Sequence, residues 1–181
     1  MNFTQVDTFT LTSAANTVTI GGGTGGSSST NFAINTDDVY ALFYRDVYMT
    51  NDGAVSAVRL TKSGDGTAVT SSNYDNARLN IYANQAHYDA GNQNLTSFSM
   101  IGCGTTSQES QQGLFWLYNF NNSSLFSQVN WHQQVTTETP EYIGPAGGGT
   151  LDVAETHDGV QFFANSGNIA NGTWTLYKVG S

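Results

Sequence analysis

The side chains able to do chemistry are few in this sequence, and they stand apart. His87, His132 and His157 are each alone, with no H-x-H or H-E-x-x-H spacing to set two imidazoles on one ion, so no metal centre is expected. His157 lies in "ETHDGV", where an exposed turn residue is the plain expectation and a ligand beside Asp158 the sharper one. Serine and aspartate are plentiful, yet the G-x-S-x-G elbow of a serine hydrolase is missing, and Ser63 in "TKSGDG" lacks its flanking pattern. The carboxylates Glu109, Glu138, Glu141, Asp152 and Glu155 sit in no motif, and a glycosidase pair is defined by its separation in space. No enzymatic role and no cofactor are expected. Cys103, the single cysteine, excludes an intrachain disulfide and reads as a small buried apolar residue in "MIGCGT".

The other conspicuous residues point to packing and recognition. Trp116 and Trp174 fall in strand-like stretches where core packing is the expected job, whereas Trp131, beside His132, is the tryptophan best placed to be exposed. Asn-x-Ser/Thr sequons at Asn2, Asn94, Asn121, Asn122 and Asn171 follow from a composition rich in those residues. "IGPAGGGT" (Ile143–Thr150) lacks the lysine and the helix of a phosphate loop and reads as an ordinary loop.

Charge narrows the partners. Five basic residues face fourteen acidic ones in 181, a formal net charge of −9. Phosphate recognition draws its affinity from Lys and Arg, so neither nucleic acid nor an anionic membrane is an expected partner. The N-terminus has no basic stretch followed by an apolar one, and nowhere do eighteen apolar residues follow one another. The expectation is a soluble protein made in the cytoplasm without Sec export.

The elements that must position these residues read as strands. Helix periodicity is nearly absent, while period-two alternation occurs at Val6–Leu11, Thr17–Ile20, Val39–Met49, Val55–Leu60, Ala77–Ala83, Thr96–Ile101, Leu114–Phe120, Leu125–Trp131, Leu151–Ala154, Val160–Ala164 and Thr173–Val179. Asp52-Gly53, Asp65-Gly66, Asp158-Gly159 and Asn171-Gly172 supply tight-turn chemistry between them. The pattern predicts an all-β protein: an antiparallel β-sandwich, jelly-roll-like, with a short N-terminal arm. Residues 1–31 form the arm or strand plus a Gly/Ser linker, "GGGTGGSSSTN", and residues 32–181 the sandwich domain. The arm is expected to pair with its own sheet, because local pairing costs less entropy, with strand addition to a neighbour as the alternative.

In "VYALFYRDVYM" apolar residues fall on both parities, as in strands covered on both faces. With Val39, Ala41, Phe43 and Val47 turned to the core, Tyr40, Tyr44 and Tyr48 become candidates for contact with another subunit. Phe3, Val6, Phe9 and Leu11 are the apolar anchors if the arm leaves its own domain.

In this order, "YRDVYMTNDGAVSAVRLTKS" (Tyr44–Ser63), "NYDNARLNIYAN" (Asn73–Asn84), "GLFWLYNFNNSSLFSQVNW" (Gly113–Trp131) and "NSGNIANGTWTLY" (Asn165–Tyr177) resemble a group of jelly-roll-like structural proteins of tailed bacteriophages. The likeness covers most of residues 35–180. It departs where many relatives carry "LYG" and this chain has Tyr177-Lys178-Val179-Gly180. The resemblance implies a component of the outer virion surface, with a capsid decoration or cement subunit favoured. Its partners would be the major capsid protein and its own copies, a homotrimer being the favoured assembly. The alternative implied is a tail-fibre or baseplate adhesin, in which Trp131, Tyr142 and His157 would contact a host surface glycan.

Overall fold

A computed structural model of the chain describes residues 2–21, 27–29, 34–137, 139 and 141–180, with 27–29 described as backbone only. The described strands are β1 (Asn2–Thr10), β2 (Thr17–Gly21), β3 (Ser27–Ser29), β4 (Val39–Met49), β5 (Val55–Lys62), β6 (Tyr74–Tyr82) and β7 (Tyr88–Leu95). They continue as β8 (Phe98–Gly102), β9 (Gln111–Tyr118), β10 (Ser127–Thr136), β11 (Tyr142–Leu151), β12 (His157–Ala164) and β13 (Ile169–Gly180). One turn of 3-10 helix, Ser107–Glu109, joins β8 to β9.

The strands form two sheets packed face to face. One runs β3-β2-β12-β5-β8, the other β1-β13-β4-β9-β10-β11-β6-β7. All ladders are antiparallel except β2 with β3. The order β2-β12-β5-β8 over β4-β11-β6-β7 is that of a two-Greek-key jelly roll. Two additions widen the second sheet: the hairpin β9–β10 wedged between β4 and β11, and the β13–β1 ladder beyond β4.

Alternation along the strands builds the interior. Phe115 and Leu117 of β9, Val129 and Trp131 of β10, Val160 and Phe162 of β12, and Trp174 and Leu176 of β13 are all buried. Their rings run as one chain of contacts: Trp174 to Phe162 at 5.7 Å, Phe162 to Phe115 at 5.8 Å and Phe115 to Trp131 at 5.9 Å. Trp131 then meets Phe98 at 6.1 Å, and Phe98 meets Tyr74 edge-on at 4.9 Å. A buried polar set ties the sheets together. Gln133 of β10 donates to Gln111 Oε1 at 2.5 Å and exchanges 3.2 Å hydrogen bonds with the backbone N–H and C=O of Ile101, while Gln111 donates to Ser56 at 2.8 Å.

Three expectations change here. The parity of β4 is the reverse of the one predicted over its first half: Tyr40, Leu42 and Tyr44 point into the core and Phe43 points out. A bulge is the reason. Asp46 takes φ +57°, the register shifts between Tyr44 and Val47, and from Val47 onward the other parity faces inward. Asn171 Nδ2 donates to the Asp46 carbonyl at 2.9 Å and holds the bulge.

Second, "IGPAGGGT" is no loop but the body of β11, paired along its length with β10 and β6. Its glycines answer to close neighbours, as glycine inside a strand usually does. A Cβ at Gly147 would stand 2.8 Å from the Trp131 ring, and one at Gly149 would stand 2.6 Å from Phe98. Third, Asp52-Gly53 and Asp65-Gly66 are turns, but Asp158-Gly159 and Asn171-Gly172 lie inside β12 and β13 at register shifts.

As expected, the N-terminal segment pairs with its own sheet, and Val6, Phe9 and Leu11 hold it to its own body. β1 pairs with β13 from Asn2–Gly180 to Thr10–Thr173, Leu11 is buried, and Phe9 packs 6.2 Å from Trp174. β2 contributes buried Val18 and Ile20, so β1 and β2 are built one into each sheet. Phe32 and most of the Gly/Ser linker fall outside the described residues; within it, Ser27–Ser29 pair with β2.

Candidate binding face

The predicted contact residues divide by burial. Tyr40 and Tyr44 are 1% and 2% exposed, and Tyr48 is half-buried against the core, so Tyr40 and Tyr44 are not available to a second subunit. Burial, with a smaller contribution from the nearby Cys103, pushes the Tyr44 phenol well above its ordinary pKa, and its hydroxyl has no hydrogen-bond partner. Trp131 and His157 are equally inaccessible and cannot touch a glycan. Of the three proposed glycan contacts only Tyr142 is exposed.

His157 takes part in a grouping that sequence spacing does not show. Ser127 Oγ lies 2.8 Å from its Nδ1, Glu155 Oε1 lies 3.5 Å from its Nε2, and Lys62 Nζ lies 3.4 Å from Glu155. Serine, histidine and glutamate are the residue types of a hydrolytic triad. Here Ser127 and His157 are sealed inside the sandwich, with the Phe120 ring 6.1 Å from the imidazole, so a substrate has no way to the serine. Burial lowers the His157 pKa and keeps the ring neutral; the neighbouring Glu155 opposes that shift. The grouping joins β10 to β12 as a structural clasp.

The remaining carboxylates do not converge. Glu109 caps its own turn through the Thr105 N–H and the Thr106 hydroxyl, both at 3.2 Å. Glu138 falls outside the described residues, and among those described no cluster of three His, Cys, Asp or Glu side chains could hold a metal ion.

What the sandwich does present is the outer face of its wide sheet. Because side chains alternate across a strand, the outward set of β1, β13, β4 and β9 is Phe3, Tyr177, Phe43 and Trp116. Phe43 meets Tyr177 edge-on at 5.5 Å, and Phe3 stands 6.1 Å from both Tyr177 and Trp116. Phe3 is 46% exposed and Phe43 41%, and a notch of about 330 Å³ lies between them. Trp116, expected in the core, is therefore on the outside, half-covered by Phe3. Its parity with Gln112 was the available signal.

Farther across the same face the aromatic cluster gives way to carboxamides and small residues, with Leu79 and Ile81 of β6 exposed beside them. A cleft of about 540 Å³ crosses β10, β11, β6 and β7. Its floor is the register row Asn130, Gly148, Ala77 and Gly91, and one bank is the neighbouring row Gln128, Thr150 and Asp75. Asp75 is its single ionisable group, and its Oδ1 accepts the Asn94 N–H at 2.8 Å. Among the described residues no helix is long and apolar enough to cross a membrane. Compared with family models, with curated proteins and with solved structures, the chain matches none.

Proposed function

We propose that this chain is a structural subunit of a bacteriophage virion, a capsid decoration or cement protein that acts by surface contact with the major capsid protein and with its own copies. The observation that carries the reading is the aromatic cluster of Phe3, Phe43, Trp116 and Tyr177 on an open sheet face. Aromatic side chains grouped in water mark a contact surface more than a folding need, since the core has its own continuous ring chain. The jelly-roll strand order agrees with the sequence resemblance. The contact lies on Phe3 and Phe43, and not on the buried tyrosines of β4.

Repetition of one modest contact around a capsid gives attachment through avidity, without catalysis. The test is gold labelling of purified virions with an antibody to this chain, together with particle occupancy of a Phe3→Ser/Phe43→Ser variant. Label on the head is expected. Loss of two interface aromatics, each worth about 2 kcal/mol at a hot spot, should reduce occupancy at least thirtyfold at limiting protein. Label confined to the tail would replace the reading with the adhesin one, and particles without label would end it.

A further inference from the structure

We infer that the carboxamide-bearing cleft across β10, β11, β6 and β7 binds an uncharged oligosaccharide. This goes beyond attachment to a capsid and does not depend on where in a virion the chain sits. Three observations carry it.

The first is continuity. Cross-strand register places Trp116, Asn130, Gly148, Ala77 and Gly91 in one row over five adjacent strands. At about 4.8 Å between strands the four strands of the cleft span roughly 14 Å, and Trp116 extends the row to roughly 19 Å, so the site suits a chain of linked rings better than a single compact ligand. Its floor is flat because three consecutive members are glycine or alanine.

The second is the hydrogen-bonding character of the lining. A sugar hydroxyl both donates and accepts, and a carboxamide does the same from one side chain. Gln128, Asn130 and Gln93 supply that mixture, Thr150 adds a hydroxyl, and the small floor leaves room for the apolar C–H face of a ring. Asn130 is placed by its neighbour: a Cβ on Gly148 would collide with its Oδ1. The glycine thus sets the carboxamide over the floor.

The third is charge. No Lys or Arg lines the cleft, and the chain as a whole carries −9, which disfavours phosphate, sulfate and acidic sugars alike. A protein partner would be expected to find aromatic or arginine anchors at the centre of its contact. Here the centre is glycine and alanine, and the one indole stands at the end of the row.

The experiment is an array of neutral oligosaccharides of hexoses and N-acetylhexosamines probed with the purified chain, with saturation-transfer NMR on the retained ligands. Asn130→Ala and Gln128→Ala should each weaken binding about three- to tenfold, as for the loss of one or two neutral hydrogen bonds. Gly91→Phe, on an exposed edge strand where a Cβ has only ordinary contacts, should fill the cleft and abolish retention. Thermal melts of all three should match the parent. No neutral oligosaccharide retained at millimolar concentration would overturn the inference. So would binding indifferent to all three substitutions, or a Gly91→Phe change in sedimentation without any glycan retained, which marks a protein contact. Each readout is on the isolated protein, so its failure is separate from a failure of virion labelling.

Discussion

Gly149→Ala tests the packing of the glycine-rich strand at its tightest point. The added methyl would lie 2.6 Å from Phe98 Cε1 and 2.5 Å from the Asp75 carbonyl oxygen. Carbon atoms in contact rest about 3.5–4.0 Å apart, so the ring must retreat by about 1 Å. It has nowhere to go: Phe98 is fully buried, with Tyr74 against it at 4.9 Å and Trp131 at 6.1 Å. The Asp75 oxygen belongs to the adjacent strand and moves only if the ladder opens. Overpacking of this kind costs about 1–3 kcal/mol, against about 0.4–1 kcal/mol returned by the reduced freedom of the unfolded chain. The clash wins, by about 1–2 kcal/mol, or about 2–8 °C in Tm for a domain of this size. Gly91→Ala is the matched control. Its Cβ would meet atoms no nearer than 3.7 Å, so only the favourable entropy remains and the midpoint should rise slightly. Urea unfolding followed by tryptophan fluorescence compares the two at common m. If both alanines shift the midpoint in the same direction, β11 is not packed as described.

Two further outcomes follow from buried groups. Since burial lowers the His157 pKa, the unfolded chain takes up the proton first. The stability tied to the neutral ring is complete above about pH 6.5 and is lost as pH falls through the folded value. His157→Gln should therefore flatten the fall in unfolding midpoint as pH drops below about 6.5, and a slope equal to the parent's would refute the clasp. Tyr44→Phe removes a buried hydroxyl that has no hydrogen-bond partner and should leave stability unchanged or raise it by up to about 1 kcal/mol. A loss larger than that, by calorimetry, would mean the hydroxyl is bonded.

Strand periodicity was legible wherever one face is dry and the other wet. β4 spans Val39–Met49 as the alternation predicts, and Trp174 with Leu176 faces the core on β13 opposite Thr175 and Tyr177. It fails in two physical circumstances. β7, "YDAGNQNL", lies at a sheet edge with most of its residues in water, so no apolar set recurs. Between its buried Ile143, Pro145 and Leu151, β11 brings mainly glycine backbone against the core, and that composition reads as a turn. Parity is harder than existence, because a single bulge inverts every assignment on one side of it, as Asp46 does for Tyr40 and Tyr44. The grouping of Ser127, Glu155 and His157 depends on β10 and β12 meeting across the sandwich, which no local pattern encodes.

The glycines of β11 bind the fold and the candidate site into one feature. Gly147 and Gly149 face inward, where the missing side chains let Trp131 and Phe98 approach the backbone. Gly148 faces outward between them, where the same absence makes the cleft floor and frees the Asn130 carboxamide. A larger residue on the inner parity pushes apart the ring chain, whereas one on the outer parity fills the cleft. Alternate positions of one short segment therefore separate the two effects: Gly149→Ala is read in stability, and Gly148→Ala in ligand binding through the displacement of Asn130. A loop would give no such alternation, because its residues have no fixed faces to alternate between.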